Sequence, residues 1–283
     1  MTKINTVSIL GCGWLGYPLA KELIATGYKV KGTTTNAGKM ASLQKAGITP
    51  FQLTIDTTQT PEKSAVGNFF QCDLLIISLP PKIRKLGAEH GINQTSRIIA
   101  TAKNFDGKVI YTSSTSVYPT NSQSHDENSL TTNFPEHEHP LLDIEKLLKN
   151  AFGNNLTILR LGGLFGYDRI PVKYFLGKKE IHNSKFPVNY LHRDDAVGSI
   201  MTVIEKQAWG NIYNVVCPLH PTREAVFLKN AEVLNISKPV FGETVEGNYK
   251  IIEGDKIVRE LGFFYQFPDP KNFTYESTVN LFR

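Results

Sequence analysis

The feature that most constrains the fold is a short apolar run that leads directly into three closely spaced glycines. Residues 4–10 have the composition of a β-strand, and a helical pattern of apolar residues runs from Pro18 to Gly27. The segment between them reads Gly11-Cys12-Gly13-Trp14-Leu15-Gly16. A strand, a glycine turn and a helix in this order are typical of the segment that holds a dinucleotide pyrophosphate at a helix N-terminus. The chain is therefore expected to bind a dinucleotide; a purely structural glycine turn is the alternative.

Each glycine of this turn has its own expected role. Gly11 allows the tight turn, Gly13 lets the main chain approach the phosphates, and Gly16 lets the helix pack closely on the strand. The predicted cofactor-binding residues of the turn are Gly11, Cys12, Gly13, Trp14, Leu15 and Gly16.

Composition narrows the class of protein. The chain has 283 residues and a net charge of +5, and its lysines form no run beside aromatic residues, so nucleic acid is not an expected partner. No apolar stretch approaches the ~20 residues that span a bilayer, and no leader pattern precedes the first strand. Three widely separated cysteines indicate a reducing compartment, so we expect a cytoplasmic protein without disulfides.

The residues that follow the second predicted strand (28–32) bear on the choice of cofactor. This strand leads into Thr33, Thr34 and Thr35, and no Asp or Glu occurs from residue 33 to residue 50. A carboxylate here would accept a hydrogen bond from the adenosine ribose and favour NAD, whereas hydroxyls and Lys39 tolerate a 2′-phosphate. NADP is therefore preferred over NAD; a plain polar loop that accepts either cofactor is the alternative.

Later predicted strands also end in polar or turn residues. Asp56 follows the strand at 50–55, and it is expected either to bond the adenine edge or to cap a turn. The apolar strand that begins at residue 73 leads into Ser78, Leu79 and Pro80, and the strand at 108–111 leads into Thr112 and Ser113. Because strands and helices alternate up to residue 166, we predict an α/β fold with a doubly wound parallel sheet covered on both faces. A smaller, mixed α/β C-terminal lobe is expected to follow.

Taken together, these segments resemble the extended short-chain dehydrogenase/reductase family of the epimerase/dehydratase type. The residues that carry the resemblance are GCGWLG, Asp56, YTSSTSVY, LRLGGLFG, YLHRDDAV and GNIYNVV. The resemblance implies a Rossmann-type, dinucleotide-binding domain made of residues 1–165 plus 191–216, and a substrate lobe made of 166–190 plus 217–283. In YLHRDDAV, Asp194 and Asp195 are expected to cap the start of a helix.

The chain departs from the family at the catalytic pair, a Tyr and a Lys four residues later. Aligning the helix at 141–152 on Glu145 puts His137 at the Tyr position and Leu141 at the Lys position. Aligning it on Lys146 puts Leu142 at the Tyr position. We prefer the first register, because it preserves the length of the preceding loop. The resemblance therefore identifies an atypical member without the Tyr/Lys pair.

Two residues are candidates for catalysis. Ser114 matches the family's active-site hydroxyl, which orients a substrate carbonyl, although a serine at a strand end also commonly bonds to backbone. His137 is the candidate to replace the tyrosine as general acid, since a free histidine pKa of ~6.5 suits proton transfer near neutrality. A solvent-exposed histidine is the alternative. The acidic and histidine residues at 125–139 fit no standard ligand spacing, so no metal site is expected.

The sequence leaves two functions open. The first is an NAD(P)-dependent reductase, epimerase or dehydratase that acts on a small polar substrate, such as a sugar nucleotide. The second is a non-catalytic sensor or regulatory protein that binds the same cofactor. A small molecule is the expected partner, and a homodimer is one assembly that the resemblance allows.

Overall fold

The computed structural model describes residues 3–55, 63–133, 136–177, 180–243 and 247–275. The strands are β1 (Thr6–Leu10), β2 (Lys29–Thr34), β3 (Thr49–Gln52), β4 (Leu74–Ile77), β5 (Lys108–Ser114), β6 (Gln123–His125), β7 (Leu156–Leu161), β8 (Gly163–Phe165), β9 (Tyr190–His192), β10 (Ile212–Val215) and β11 (Lys250–Ile252). The helices are α1 (Gly16–Ala25), α2 (Met40–Lys45), α3 (Lys63–Phe70), α4 (Ile83–Leu86), α5 (Ala88–Thr101), α6 (Ser129–Thr132), α7 (Pro140–Phe152), α8 (Arg193–Glu205), α9 (Arg223–Val233) and α10 (Asp255–Leu261).

Seven strands form one parallel sheet in the order β10-β7-β5-β4-β1-β2-β3. On β1, Val7 lies opposite Val30 of β2 on one side and opposite Leu74 of β4 on the other. Chain order therefore reverses between β1 and β4. Such a topological switch point is where doubly wound sheets bind ligands, beyond the carboxyl ends of the strands. The predicted doubly wound parallel sheet is confirmed.

The sequence pattern explains why these segments occupy the middle of the sheet. All four residues of β4 are buried, as a central strand covered on both faces requires. The apolar stripe of α1, made of Leu19, Ala20 and Leu23, is also buried, and α5 packs against α7. Within the described ranges, no helix is long and apolar enough to cross a membrane.

The chain divides into two compact units that both draw on separated stretches. The first comprises Met1–Ser113, Glu138–Leu159 and Ile200–Ile212; the second comprises Ser114–His137, Arg160–Ser199 and Tyr213–Arg283. These bounds differ from those of the two predicted lobes, whose cofactor and substrate roles stay a prediction.

The second unit has its own core and two small sheets. Its core includes Phe165, Ile181, Val226 and Phe227, all almost fully buried. Strand β6 pairs in parallel with β11, and β8 pairs in parallel with β9. Residues 119–140 show no clear periodicity in the sequence, yet they contain β6 and α6. Strand β6 was missed because its partner β11 is far away in the chain and three residues carry little local signal.

Candidate functional site

The glycine turn after β1 is held in place by β2. Gly11 has a φ of +100°, which favours glycine. Its N–H donates to the Thr33 hydroxyl at 2.8 Å, and the Cys12 N–H donates to the Thr33 carbonyl at 2.9 Å. Thr33 is only 3% exposed. The Thr33 hydroxyl, predicted to lie at the cofactor, therefore supports the glycine turn by accepting from the Gly11 N–H.

The other two glycines differ in what a side chain would meet. A Cβ on Gly16 would overlap the Gly11 carbonyl oxygen, so α1 reaches the turn only because this residue has no side chain. A Cβ on Gly13 would meet nothing within 4 Å, and Gly13 is exposed. The main chain at Gly13 is therefore open to an approaching group, at the end of α1 where N–H groups lack intrahelical partners.

The remaining residues of the turn contribute mainly through their main chain. Cys12 is buried against Gly32, and burial raises the pKa of its thiol to about 12. Leu15 is also buried. Trp14 is half-buried. Because the Cys12 and Leu15 side chains are buried, the turn offers mainly its backbone N–H groups to a ligand.

The end of β4 lies against the turn across the switch point. A Cβ on Gly11 would lie 3.0 Å from both the Ser78 carbonyl oxygen and the Leu79 side chain. Ser78 and Leu79 are half-buried, while Pro80 is exposed. These predicted residues therefore border the glycine turn. Asp56 lies outside the described residues.

The loop after β2 is polar and ordered by its own side chains. The Asn36 amide oxygen accepts from the Gly38 N–H at 2.9 Å, and the Asn36 N–H donates to the Thr34 hydroxyl at 3.2 Å. Thr35 and Lys39 are exposed. This loop, which carries no carboxylate in the sequence, offers hydroxyls and one ammonium group to a ligand.

The two hydroxyls near the end of β5 are already engaged. Thr112 donates to the Ile77 carbonyl at 3.3 Å. Ser113 donates to Glu145 of α7 at 2.6 Å, and both residues are buried. The Ser113 side chain, predicted to face the cofactor, is thus bonded to a helix, and any cofactor contact falls to its main chain. No local pattern in the sequence predicts Glu145 as a buried partner.

The second unit contains both catalytic candidates. Ser114 is half-buried, and its oxygen accepts from the Ser116 N–H at 3.2 Å, which caps the 3-10 turn Thr115–Val117. His137 is half-buried, and its Nε2 lies 3.0 Å from the Val117 carbonyl oxygen. Because a carbonyl only accepts, Nε2 carries the proton, and Nδ1 is the acceptor nitrogen of the neutral ring. Ser114 and His137 are therefore both bonded to one short turn.

A buried polar network, not anticipated from the sequence, holds the residue after this turn. The Tyr118 hydroxyl donates to the Asn214 side chain and accepts from Arg160, both at 2.8 Å. Its carbonyl accepts from the Lys250 ammonium at 2.6 Å. Burial raises the pKa of Tyr118 to about 12. The contacts of Tyr118 are therefore those of a structural anchor.

The YLHRDDAV segment has structural contacts. The Asp195 carboxylate accepts from the N–H groups of Gln266 and Phe267 at 2.7 and 3.0 Å, so it ties down the C-terminal segment instead of capping its own helix as predicted. His192 is fully buried, and its Nδ1 accepts from the Asp194 N–H at 3.2 Å. Burial lowers the pKa of His192 to about 4.

Comparison with solved structures identifies the same fold. The UDP-glucuronic acid 4-epimerase of Bacillus cereus, in complex with UDP-glucuronic acid and NAD, matches with a TM-score of 0.73 at 15% identity, over 94% of this chain and 96% of the other. The UDP-glucose 4-epimerase of Thermotoga maritima, with UDP-glucose, matches with a TM-score of 0.72 at 16% identity, over 98% of both chains. Identity this low establishes the fold alone.

Comparison of sequences gives a nearer relative. No family model matches the chain. Protein YeeZ of Escherichia coli (strain K12) is 32% identical over 269 residues, which are 94% of this chain and 98% of the relative. At this identity over nearly the full length of both proteins, the chain belongs to the family of Protein YeeZ.

Proposed function

We propose that this protein is an NAD(P)-dependent enzyme of the reductase, epimerase or dehydratase type. The observation that carries the proposal is the open main chain at Gly13, at the switch point between β1 and β4. The fold supports it, because similar structures include a UDP-glucuronic acid 4-epimerase in complex with UDP-glucuronic acid and NAD. A small polar substrate of sugar-nucleotide type is the corresponding proposal for this chain.

The residues present fit a dinucleotide. A side chain at Gly13 would occupy space that is open, and the N–H groups from Gly13 to Leu15 precede the N-terminus of α1, where negative charge is stabilised. Thr35 and Lys39 are exposed after β2, which favours NADP over NAD. When bound, the nicotinamide supplies hydride chemistry.

The chain's own contribution is to hold the substrate and move a proton. Ser114 is proposed to orient a substrate oxygen through its hydroxyl. His137 is proposed to exchange a proton with the substrate at Nδ1, since Nε2 is bonded to the Val117 carbonyl. His137 stands in for the tyrosine of the family's pair, and Leu141 occupies the position of its lysine in the preferred register.

The test is turnover of reduced nicotinamide with a panel of carbonyl substrates, together with 4-epimerisation of UDP-glucose and, separately, of UDP-glucuronic acid. His137→Gln should lower kcat by about a hundredfold, the lower range for loss of a general acid or base. His182→Gln is the matched control, because His182 is exposed in the same unit, and it should leave kcat unchanged. Unchanged kcat in His137→Gln would refute the role of His137.

A non-catalytic sensor is the second candidate function. The observation that favours it is that neither register of the helix at 141–152 puts a tyrosine at the family's Tyr position. Tight NADPH binding without turnover on any substrate of the panel would support the sensor over the enzyme.

A further inference from the structure

One short segment supports both catalytic candidates, and it is held from outside. We call residues 114–118 the site turn. It carries the Ser114 hydroxyl at one end, and near the other end it carries the Val117 carbonyl that bonds to His137. The position of this turn therefore determines where both functional groups lie.

The last residue of the site turn is anchored through its side chain and its main chain. Arg160 and Asn214 bond to the Tyr118 hydroxyl, and Lys250 bonds to its carbonyl at 2.6 Å. The Tyr118 carbonyl, which accepts from Lys250, directly follows the Val117 carbonyl, which bonds to His137. Fixing the Tyr118 carbonyl therefore restricts rotation of the preceding peptide group, which carries the Val117 carbonyl.

Lys250 is itself held rigidly. It begins β11, which pairs with β6 so that Lys250 lies opposite Gln123. Asn189 clamps this strand from its other side: its amide donates to the Lys250 carbonyl at 2.9 Å and accepts from the Ile252 N–H at 2.9 Å. The ammonium group therefore reaches the site turn from a fixed strand.

Partial burial of the Lys250 ammonium group carries a desolvation cost. Lys250 is half-buried, and among the described residues no carboxylate lies within ion-pair distance of its ammonium group. Burial lowers its pKa to about 8. The neighbouring groups include His125, whose ring stacks on Tyr118 and whose pKa is lowered by burial and by the charge of Lys250. A half-buried ammonium group that bonds to the site turn is therefore a candidate for a functional role.

We propose that Lys250 is a positioning residue for Ser114 and His137, which acts by holding the Tyr118 carbonyl and thereby fixing the site turn. This inference rests on the proposed function of those two residues. The Lys250 ammonium group supports proton transfer only indirectly, because it touches no reacting atom.

The test compares Lys250→Met and Lys250→Arg with Lys229→Met. Lys229 belongs to the same unit, its side chain is 41% exposed, and it pairs with Glu232. The first readout is imidazole nitrogen NMR, with the His137 signals assigned by their loss in His137→Gln. The parent protein should show the Nε2–H form of His137. Lys250→Met should show a mixture of tautomers, whereas Lys250→Arg and Lys229→Met should retain the parent signal.

The second readout is turnover of NADPH with any substrate found active. Lys250→Met should lower kcat by about tenfold, as loss of one charge-assisted hydrogen bond implies, with KM within about twofold and with most of kcat restored in Lys250→Arg. If Lys250→Met does not fold, Lys250→Gln, which keeps a donor without the charge, takes its place. NADPH affinity, measured alongside, reports whether each variant is folded.

The outcomes separate this inference from the proposed function. If the parent protein turns over no substrate, the enzyme proposal fails, and the His137 tautomer alone decides the role of Lys250. An unchanged tautomer in Lys250→Met, or a loss of kcat that Lys250→Arg does not restore, would overturn the positioning role.

Discussion

Replacing Gly13 by alanine should separate cofactor binding from folding. A Cβ there meets no atom within 4 Å, and the φ of Gly13 lies outside the left-handed region, so the free energy of unfolding should change by less than about 1 kcal/mol. The methyl group would occupy the space through which phosphates approach the main chain. Losing two charge-assisted hydrogen bonds of about 1.5 kcal/mol each weakens binding by about 3 kcal/mol, or roughly a hundredfold.

Two further glycines provide the controls. Gly67→Ala adds a methyl group in equally open space on α3, so it should leave NADPH affinity unchanged. Gly16→Ala should instead lower the free energy of unfolding by about 1–3 kcal/mol, because its Cβ overlaps the Gly11 carbonyl. Thermal unfolding and equilibrium titration with NADPH measure both effects. Parent-like NADPH affinity in Gly13→Ala would refute the reasoning, as would a loss of stability equal to that of Gly16→Ala.

Substitutions at three further positions test the supporting structure. Thr33→Val should lower the free energy of unfolding by about 1–3 kcal/mol, because it removes the hydroxyl that accepts from the Gly11 N–H. Thr33→Ser retains that hydroxyl and should be more stable than Thr33→Val. Equal urea midpoints for the two variants would contradict this. Ser113→Ala should cost about 1–3 kcal/mol, since buried Glu145 loses a donor, and a parent-like denaturation curve would argue against that contact. Because the folded-state pKa of His192 lies below its unfolded value of 6.5, the unfolded chain takes up the proton first, and stability is lost as pH falls from 6.5 to about 4. The parent should lose up to about 3 kcal/mol relative to His192→Asn over this range, and parallel stability–pH curves would exclude this linkage.

The parts of the fold that depend on local pattern were predictable. The four buried apolar residues of β4 and the glycine spacing after β1 are local signals, and the structure has the corresponding central strand and turn. Gly16 could be assigned a packing role because only a residue without a side chain fits where a helix meets a turn.

Side-chain direction and long-range contacts were not predictable. Consecutive strand residues point to opposite faces, so Ser113 and Ser114 cannot both face one ligand, and the hydroxyl pattern alone does not say which does. In the structure Ser113 bonds to α7. Thr33 likewise points toward the glycine turn, and Lys250 reaches Tyr118 from 132 residues away. No local periodicity encodes such a contact.

The central claim is that the main chain beyond β1 receives the pyrophosphate of a dinucleotide. Calorimetric titration of the purified protein with NADPH and with NADH tests it most directly. We expect saturable binding of one dinucleotide per chain, with NADPH bound more tightly than NADH. No detectable binding of either dinucleotide would contradict it.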